Sequence, residues 1–296
     1  MDQSTGRTHS ANAMYRKTIK TEDGTSLSVI DLGSGPPLVI LPGWSQTASA
    51  WSQQIAHLSE RNRVIALDHR GHGESSEPGH GYRISRLAAD LNEVIGVLDL
   101  REITLLGHSM GCSVAWCYLE LFGAGNVSRL ILADQSVTLA ATRALDDYKR
   151  LETGGVFSFE QLSHLLDELR SRRGDLATRE TLRSMVSADM PSLTFEQLVA
   201  ENMLLPREKA AALLADHAFH DWSDLVRRIE IPTLVIGGKQ SVVPWQAMAS
   251  IGSMIANSRT VIFDGSGSSH FAFLEIAQAF SAAVDEFLDA YPAHQR

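Results

Sequence analysis

The stretch Leu105-Leu106-Gly107-His108-Ser109-Met110-Gly111-Cys112 constrains this chain more than any other. An apolar strand at residues 103–106 runs straight into a G-x-S-x-G pattern. A helix of small residues (Gly111, Cys112, Ser113, Ala115) opens directly behind it. Where strand and helix approach so closely, no side chain fits at the flanking glycines. The turn also lifts the apical Ser109 hydroxyl clear of the sheet, where a base can reach it.

The surrounding sequence supplies a sheet for that turn. Residues 15–21 and 26–32 alternate apolar with polar around Glu22-Asp23-Gly24, a hairpin signal. Leu38-Val39-Ile40-Leu41 is continuously apolar, as a strand buried on both faces requires, and a helix of about ten residues is expected from Trp51. The next strand, 63–67, precedes Asp68-His69-Arg70-Gly71-His72-Gly73. A helix is expected over 84–98, with Leu87, Leu91, Val94 and Ile95 at helical spacing. After the Ser109 turn come a helix to about residue 122 and a strand at 129–133. Strands alternating with helices in this rhythm predict a mostly parallel sheet covered on both faces.

The rhythm stops after Ala133. Between about 137 and 226 the sequence shows only amphipathic helical stretches, around 145–151, 159–169, 195–204 and 210–218, punctuated by Gly154-Gly155, Pro191 and Pro206. The strand pattern returns at 232–236. A helix from Trp245, a strand at 260–263 and a closing helix over about 272–291 follow.

Composition narrows the function classes. No apolar run approaches the about 18 residues of a membrane span, and residues 1–13 are polar and lack a secretory signal, so they read as a disordered tail. The net charge of −9 comes with no basic patch, which argues against nucleic acid as a partner. Cys112 and Cys117 fall five apart on one expected helix, poor geometry for a disulfide. A reducing cytoplasm fits that usage. Neither cysteine has metal-ligating neighbours, so both are expected as small core residues, with no metal or cofactor required.

Taken in order, Leu41-Pro42-Gly43-Trp44, Asp68-His69-Arg70-Gly71-His72-Gly73-Glu74-Ser75, Gly107-His108-Ser109-Met110-Gly111 and Ser269-His270-Phe271 resemble the motifs of the α/β-hydrolase family. The resemblance spans about 15–291. It implies an eight-stranded, mostly parallel sheet with helices on both faces, a core formed by 14–136 and 227–296, and a helical cap inserted at 137–226. It implies Ser109 as nucleophile, His270 as its general base, and the backbone N–H groups of Trp44 and Met110 as the oxyanion hole. His69 and His72 fall in a loop that buttresses the site in this family, and His108 is expected to point away from the apex.

The acid departs from the commonest family pattern. An aspartate is usual in the loop after the seventh strand, where this chain reads Gly237-Gly238-Lys239-Gln240-Ser241. Serine cannot supply the charge that stabilises an imidazolium. Some branches place the acid after the sixth strand, and Asp134 occupies that position; Asp264 is the weaker alternative. Ser45, Gln46, His217, Phe219, Trp222 and Trp245 are expected around the substrate, with Phe157, Phe159, Met185 and Met203 adding apolar surface, and His220 as a further candidate.

The activity implied is hydrolysis of a carboxylic ester or lactone of a hydrophobic small molecule through an acyl-enzyme. The chain is also similar to cofactor-independent dioxygenases of 3-hydroxy-4-quinolone rings. Those carry histidines where this chain has Gln46 and Met110. C–C bond hydrolases, cofactor-free haloperoxidases and non-catalytic small-molecule receptors share the fold and stay open as alternatives. An exposed face on the closing helix leaves room for a homodimer.

Overall fold

The computed structural model describes residues 15–141 and 151–293. The tail at 1–13 and most of the helical stretch expected at 145–151 lie outside those residues. Eight strands form one sheet in the order β1-β2-β4-β3-β5-β6-β7-β8. They are β1 (Arg16–Lys20), β2 (Ser26–Leu32), β3 (Pro37–Leu41), β4 (Arg63–Leu67), β5 (Ile103–His108), β6 (Val127–Ala133), β7 (Thr233–Gly238) and β8 (Ser258–Phe263). β1 pairs antiparallel with β2, and β2 antiparallel with β4. Every pairing from β4 through β3 to β8 is parallel.

The apolar runs are explained by burial on both faces. Along the central strands successive side chains point to opposite sides. Val39, Ile65, Leu105, Leu130 and Val235 join one core, under α2 (Ile84–Val97), α3 (Met110–Phe122) and α9 (Trp245–Met254). Ile40, Ala66, Leu106, Ile131 and Leu234 join the other, against α1 (Ser52–Leu58) and α11 (Ala277–Ala290).

Between β6 and β7 the described residues form helices α4 (Phe159–Arg170), α5 (Gly174–Met185), α6 (Ser192–Asn202), α7 (Arg207–Ala218) and α8 (Ser223–Val226). α4 starts where Ser158 and Gln161 satisfy each other's backbone N–H groups. This insertion is fastened to the core at several loops. Thr47 bonds to Glu201 of α6, the Trp44 indole N–H donates to the Ala210 carbonyl at 2.8 Å, and the His270 N–H donates to the Met185 carbonyl at 3.2 Å.

Three expectations are corrected. The helix expected from Trp51 is a 3-10 turn (Ala48–Trp51) followed by the seven-residue α1. α5 was not anticipated. The closing helix is broken at Ile276 (φ −123°, ψ 49°) into α10 (Ala272–Glu275) and α11. Among the described residues no helix is long and apolar enough to cross a membrane. Cys112 and Cys117 are both buried and free.

Candidate active site

Ser109 occupies the end of β5 with φ 52° and ψ −127°, a conformation L-residues seldom adopt and which costs on the order of 1–3 kcal/mol. The close packing around it holds that turn. A methyl group at Gly111 would lie 2.0 Å from the Leu41 carbonyl oxygen, and one at Gly107 would lie 2.6 Å from the Cys112 nitrogen. The loop after β3 comes equally near, since a Cβ on Gly43 would sit 3.0 Å from that of Ser109.

Asp134 follows β6 directly, also at positive φ (54°). Its N–H donates to the Ile236 carbonyl at 2.8 Å, and the Ser109 N–H donates to the Ala133 carbonyl at 2.9 Å. Both residues thus extend the sheet ladder one rung past the strands. His270 enters from the loop after β8, and its Nδ1 lies 2.7 Å from Asp134 Oδ2 with both side chains buried. The same oxygen accepts a hydrogen bond from the Ser241 hydroxyl. Ser241, at the position where the family usually carries its acid, is therefore a donor to Asp134, a contact that residue type alone does not reveal.

The loops around these residues are tied down. The Glu275 carboxylate accepts from the Ser269 hydroxyl, beside His270, and from the Ser187 N–H and hydroxyl just past α5. Nothing in the sequence singled out Glu275. His108 Nε2 donates to the His270 carbonyl at 2.8 Å and its Nδ1 lies 3.2 Å from Gln46 Oε1, so it supports the loops from below the apex. His69 Nε2 contacts the Pro42 carbonyl at 3.3 Å. Burial, and secondarily the neighbouring His72, hold the His69 imidazole down to about 3; burial brings His72 to about 4. Burial next to His270 keeps His108 well below the usual range. Asp264 pairs with Lys239 on the surface, away from His270.

Ser109 and His270 share one cavity of about 50 Å³. Its walls include Trp44, Gln135, Phe157, Met185, Leu214 and His217, and its lining is overwhelmingly apolar. The N–H groups of Trp44 and Met110 have no protein acceptor among the described residues. The structure corrects several expected neighbours. Ser45 is buried beneath the loop with an unpartnered hydroxyl, and the Gln46 carboxamide oxygen accepts from the Gly43 N–H at 3.2 Å. Phe219 is 49% exposed beside Phe159. Trp222 packs near Trp116 and stacks on His220, whose ring reaches Asp216. Trp245 lines a separate surface depression with Leu151. Met203 lies among the residues of the other core face. No cluster of three or more His, Cys, Asp or Glu among the described residues is placed to hold a metal ion.

Comparison with known proteins bears on the fold. A family model described as the alpha/beta hydrolase fold matches residues 36–276. A non-heme haloperoxidase of Rhodococcus erythropolis is 28% identical over 257 residues, covering 83% of this chain and 90% of its own. An esterase of Exiguobacterium antarcticum superposes with a TM-score of 0.84 at 28% identity, covering 92% of this chain and 99% of the esterase. An esterase from a Rhodococcus species superposes at 0.78 with 26% identity, covering 93% and 99%.

Proposed function

The chain belongs to the α/β-hydrolase fold family, and from that premise we propose that it is a serine hydrolase acting on a carboxylic ester or lactone of a small, largely apolar molecule. The observation that carries the reading is the 2.7 Å contact between His270 Nδ1 and the buried Asp134 carboxylate, on the wall of the cavity that holds Ser109. A carboxylate on Nδ1 selects the tautomer whose Nε2 is free to accept a proton.

In this reading the insertion acts as a cap over the site. The Ser109 hydroxyl attacks the acyl carbon while His270 takes its proton, and the carbonyl oxygen becomes an oxyanion. Trp44 and Met110 present backbone N–H groups that no protein acceptor occupies, and each such donor contributes about 10²–10³ in rate. His270 then returns the proton to the departing alcohol, or to the ring oxygen of a lactone, as the acyl–oxygen bond breaks. Water, deprotonated by the same histidine, releases the acid. The cavity's volume of about 50 Å³ is room for roughly four water-sized groups, which suits a short acyl chain.

The test is hydrolysis of p-nitrophenyl esters and small lactones by wild type and Ser109→Ala. Wild-type turnover is expected on the short acyl members, with a loss of at least about 10⁴-fold in the variant. Activity that survives the substitution removes the mechanism. Absence of hydrolysis together with oxygen uptake on a hydroxyquinolone would replace it with the dioxygenase chemistry.

A further inference from the structure

The cavity has more hydrogen-bonding capacity than acyl transfer uses. Its polar lining residues are Ser109, His270, Gln135, Thr181 and His217. The first two carry the chemistry proposed above. The Thr181 hydroxyl gives its one proton to the Ala177 carbonyl within α5 at 2.8 Å and can only accept from a ligand. Gln135 and His217 are left.

His217 stands in the last turn of α7, 3% exposed, and its Nδ1 is buried without any partner. No described residue bonds to the rest of the ring. Burial, and secondarily the nearby His220, hold its proton affinity down to about 3, so the ring is neutral and offers one donor and one acceptor. A buried polar group left without a partner costs on the order of 1–3 kcal/mol. Within an apolar lining a bound molecule can supply that partner.

Gln135, 1% exposed, donates from Nε2 to the Ser136 carbonyl at 2.8 Å, and no donor among the described residues meets its Oε1. The two residues belong to adjoining walls. The Ala140 N–H bonds to the Ala218 carbonyl and the Trp222 N–H to the Val137 carbonyl, each at 3.0 Å, which lays the segment after β6 along the end of α7.

We propose that His217 and Gln135 form a polar subsite that selects acyl groups bearing a hydroxyl on an otherwise apolar chain. A hydroxyl is the group that gives its one hydrogen bond to the carboxamide oxygen while accepting another from the imidazole N–H. The acyl side is specified because that fragment stays bonded to Ser109 in the cavity, whereas the alcohol must leave. The inference rests on the serine hydrolase reading and adds the substrate class to it.

The experiment compares kcat/KM for phenyl 3-hydroxybutanoate and phenyl butanoate, following phenol release by wild type, His217→Phe, His217→Gln and Gln135→Leu. Wild type should favour the hydroxyacyl ester by about tenfold, one or two hydrogen bonds' worth. The ratio should fall to near one in His217→Phe, fall partway in Gln135→Leu, and be largely retained in His217→Gln, which keeps a donor and an acceptor. Thermal melting confirms that each variant is folded. Should His217→Phe misfold, the comparison of Gln135→Leu with His217→Gln decides. A wild type that does not prefer the hydroxyacyl ester, or a preference that survives in His217→Phe, overturns the subsite while serine-dependent hydrolysis of both esters keeps the parent reading. If neither ester is hydrolysed, or hydrolysis persists in Ser109→Ala, the parent reading fails and takes the subsite with it.

Discussion

Ser109 reaches the cavity, and Asp134 the His270 ring that lines it, from the ends of hydrogen-bonded strands, whereas Phe157, Leu165, Met185 and Leu214 reach the cavity from the segment inserted between β6 and β7. On the sheet side each position is set by a backbone ladder, and a shift of one residue would turn the side chain to the opposite face. On the insertion side the positions are set by apolar packing, which tolerates exchange of one aliphatic group for another of similar volume. Under the proposed function, the first side carries the chemistry and the second the choice of substrate. That division predicts that substitutions on the two sides will fail in different ways.

The largest effect should come from the sheet side. Asp134→Ala is expected to lower kcat/KM by about 10⁴-fold on every ester alike, the scale on which loss of the orienting carboxylate acts elsewhere. Ser241→Asp added to that variant should recover at least about tenfold, since the Ser241 hydroxyl and His270 Nδ1 meet the same Asp134 oxygen. Steady-state kinetics on a short and a long acyl ester reads both results. A loss confined to one ester would erase the division between the two sides.

A smaller and differently shaped effect is expected from the insertion. Phe157→Ala enlarges the cavity without touching the Ser109–His270–Asp134 set, so the ratio of kcat/KM for p-nitrophenyl octanoate over acetate should rise about tenfold. An equal change on both esters would show that the insertion contributes to the chemical step itself.

The smallest effect is in stability and involves both sides. His69 and His72 lie under the sheet-side loops and His217 in the insertion, with folded-state values of about 3, 4 and 3 against an unfolded value near 6.5. Between those limits the unfolded chain binds protons that the folded chain does not. The stabilisation is therefore complete above pH 6.5 and is lost as the pH falls toward 4 and below. Melting temperatures measured from pH 8 to 4.5 should begin to drop near 6.5, less steeply in His217→Phe. A flat profile down to pH 5 would contradict the neutral buried state of these rings.

The same division explains what the amino-acid order reveals. The strands were readable because two-sided burial imposes long apolar runs, and the Ser109 turn because steric contact dictates its glycines. Asp134 and His270 were singled out by the family resemblance, which points to the loops after the sixth and the last strand. The insertion was less readable. In α5 only Gly174, Ala177, Thr178 and Leu182 are buried, while Leu176 is 45% exposed, so its apolar stripe is too thin to announce a helix. His217 faces the cavity while Phe219, two residues on and about 200° around the helix, faces out. Which of the two turns inward is decided by packing against Ala140 and its neighbours, far away in sequence. The break at Ile276 likewise has neither proline nor glycine to mark it.

The two backbone bonds that carry Ser109 and Asp134 past the strand ends, to Ala133 and to Ile236, have a bearing on how this protein wears out. Amides on central sheet rungs are released only when the sheet itself opens. Under heat Ser109 and Asp134 therefore keep their mutual placement until the sheet opens. His270 depends instead on loop contacts to Met185, Glu275 and His108. Loss of alignment short of melting will start there, with the histidine rather than with the serine or the acid.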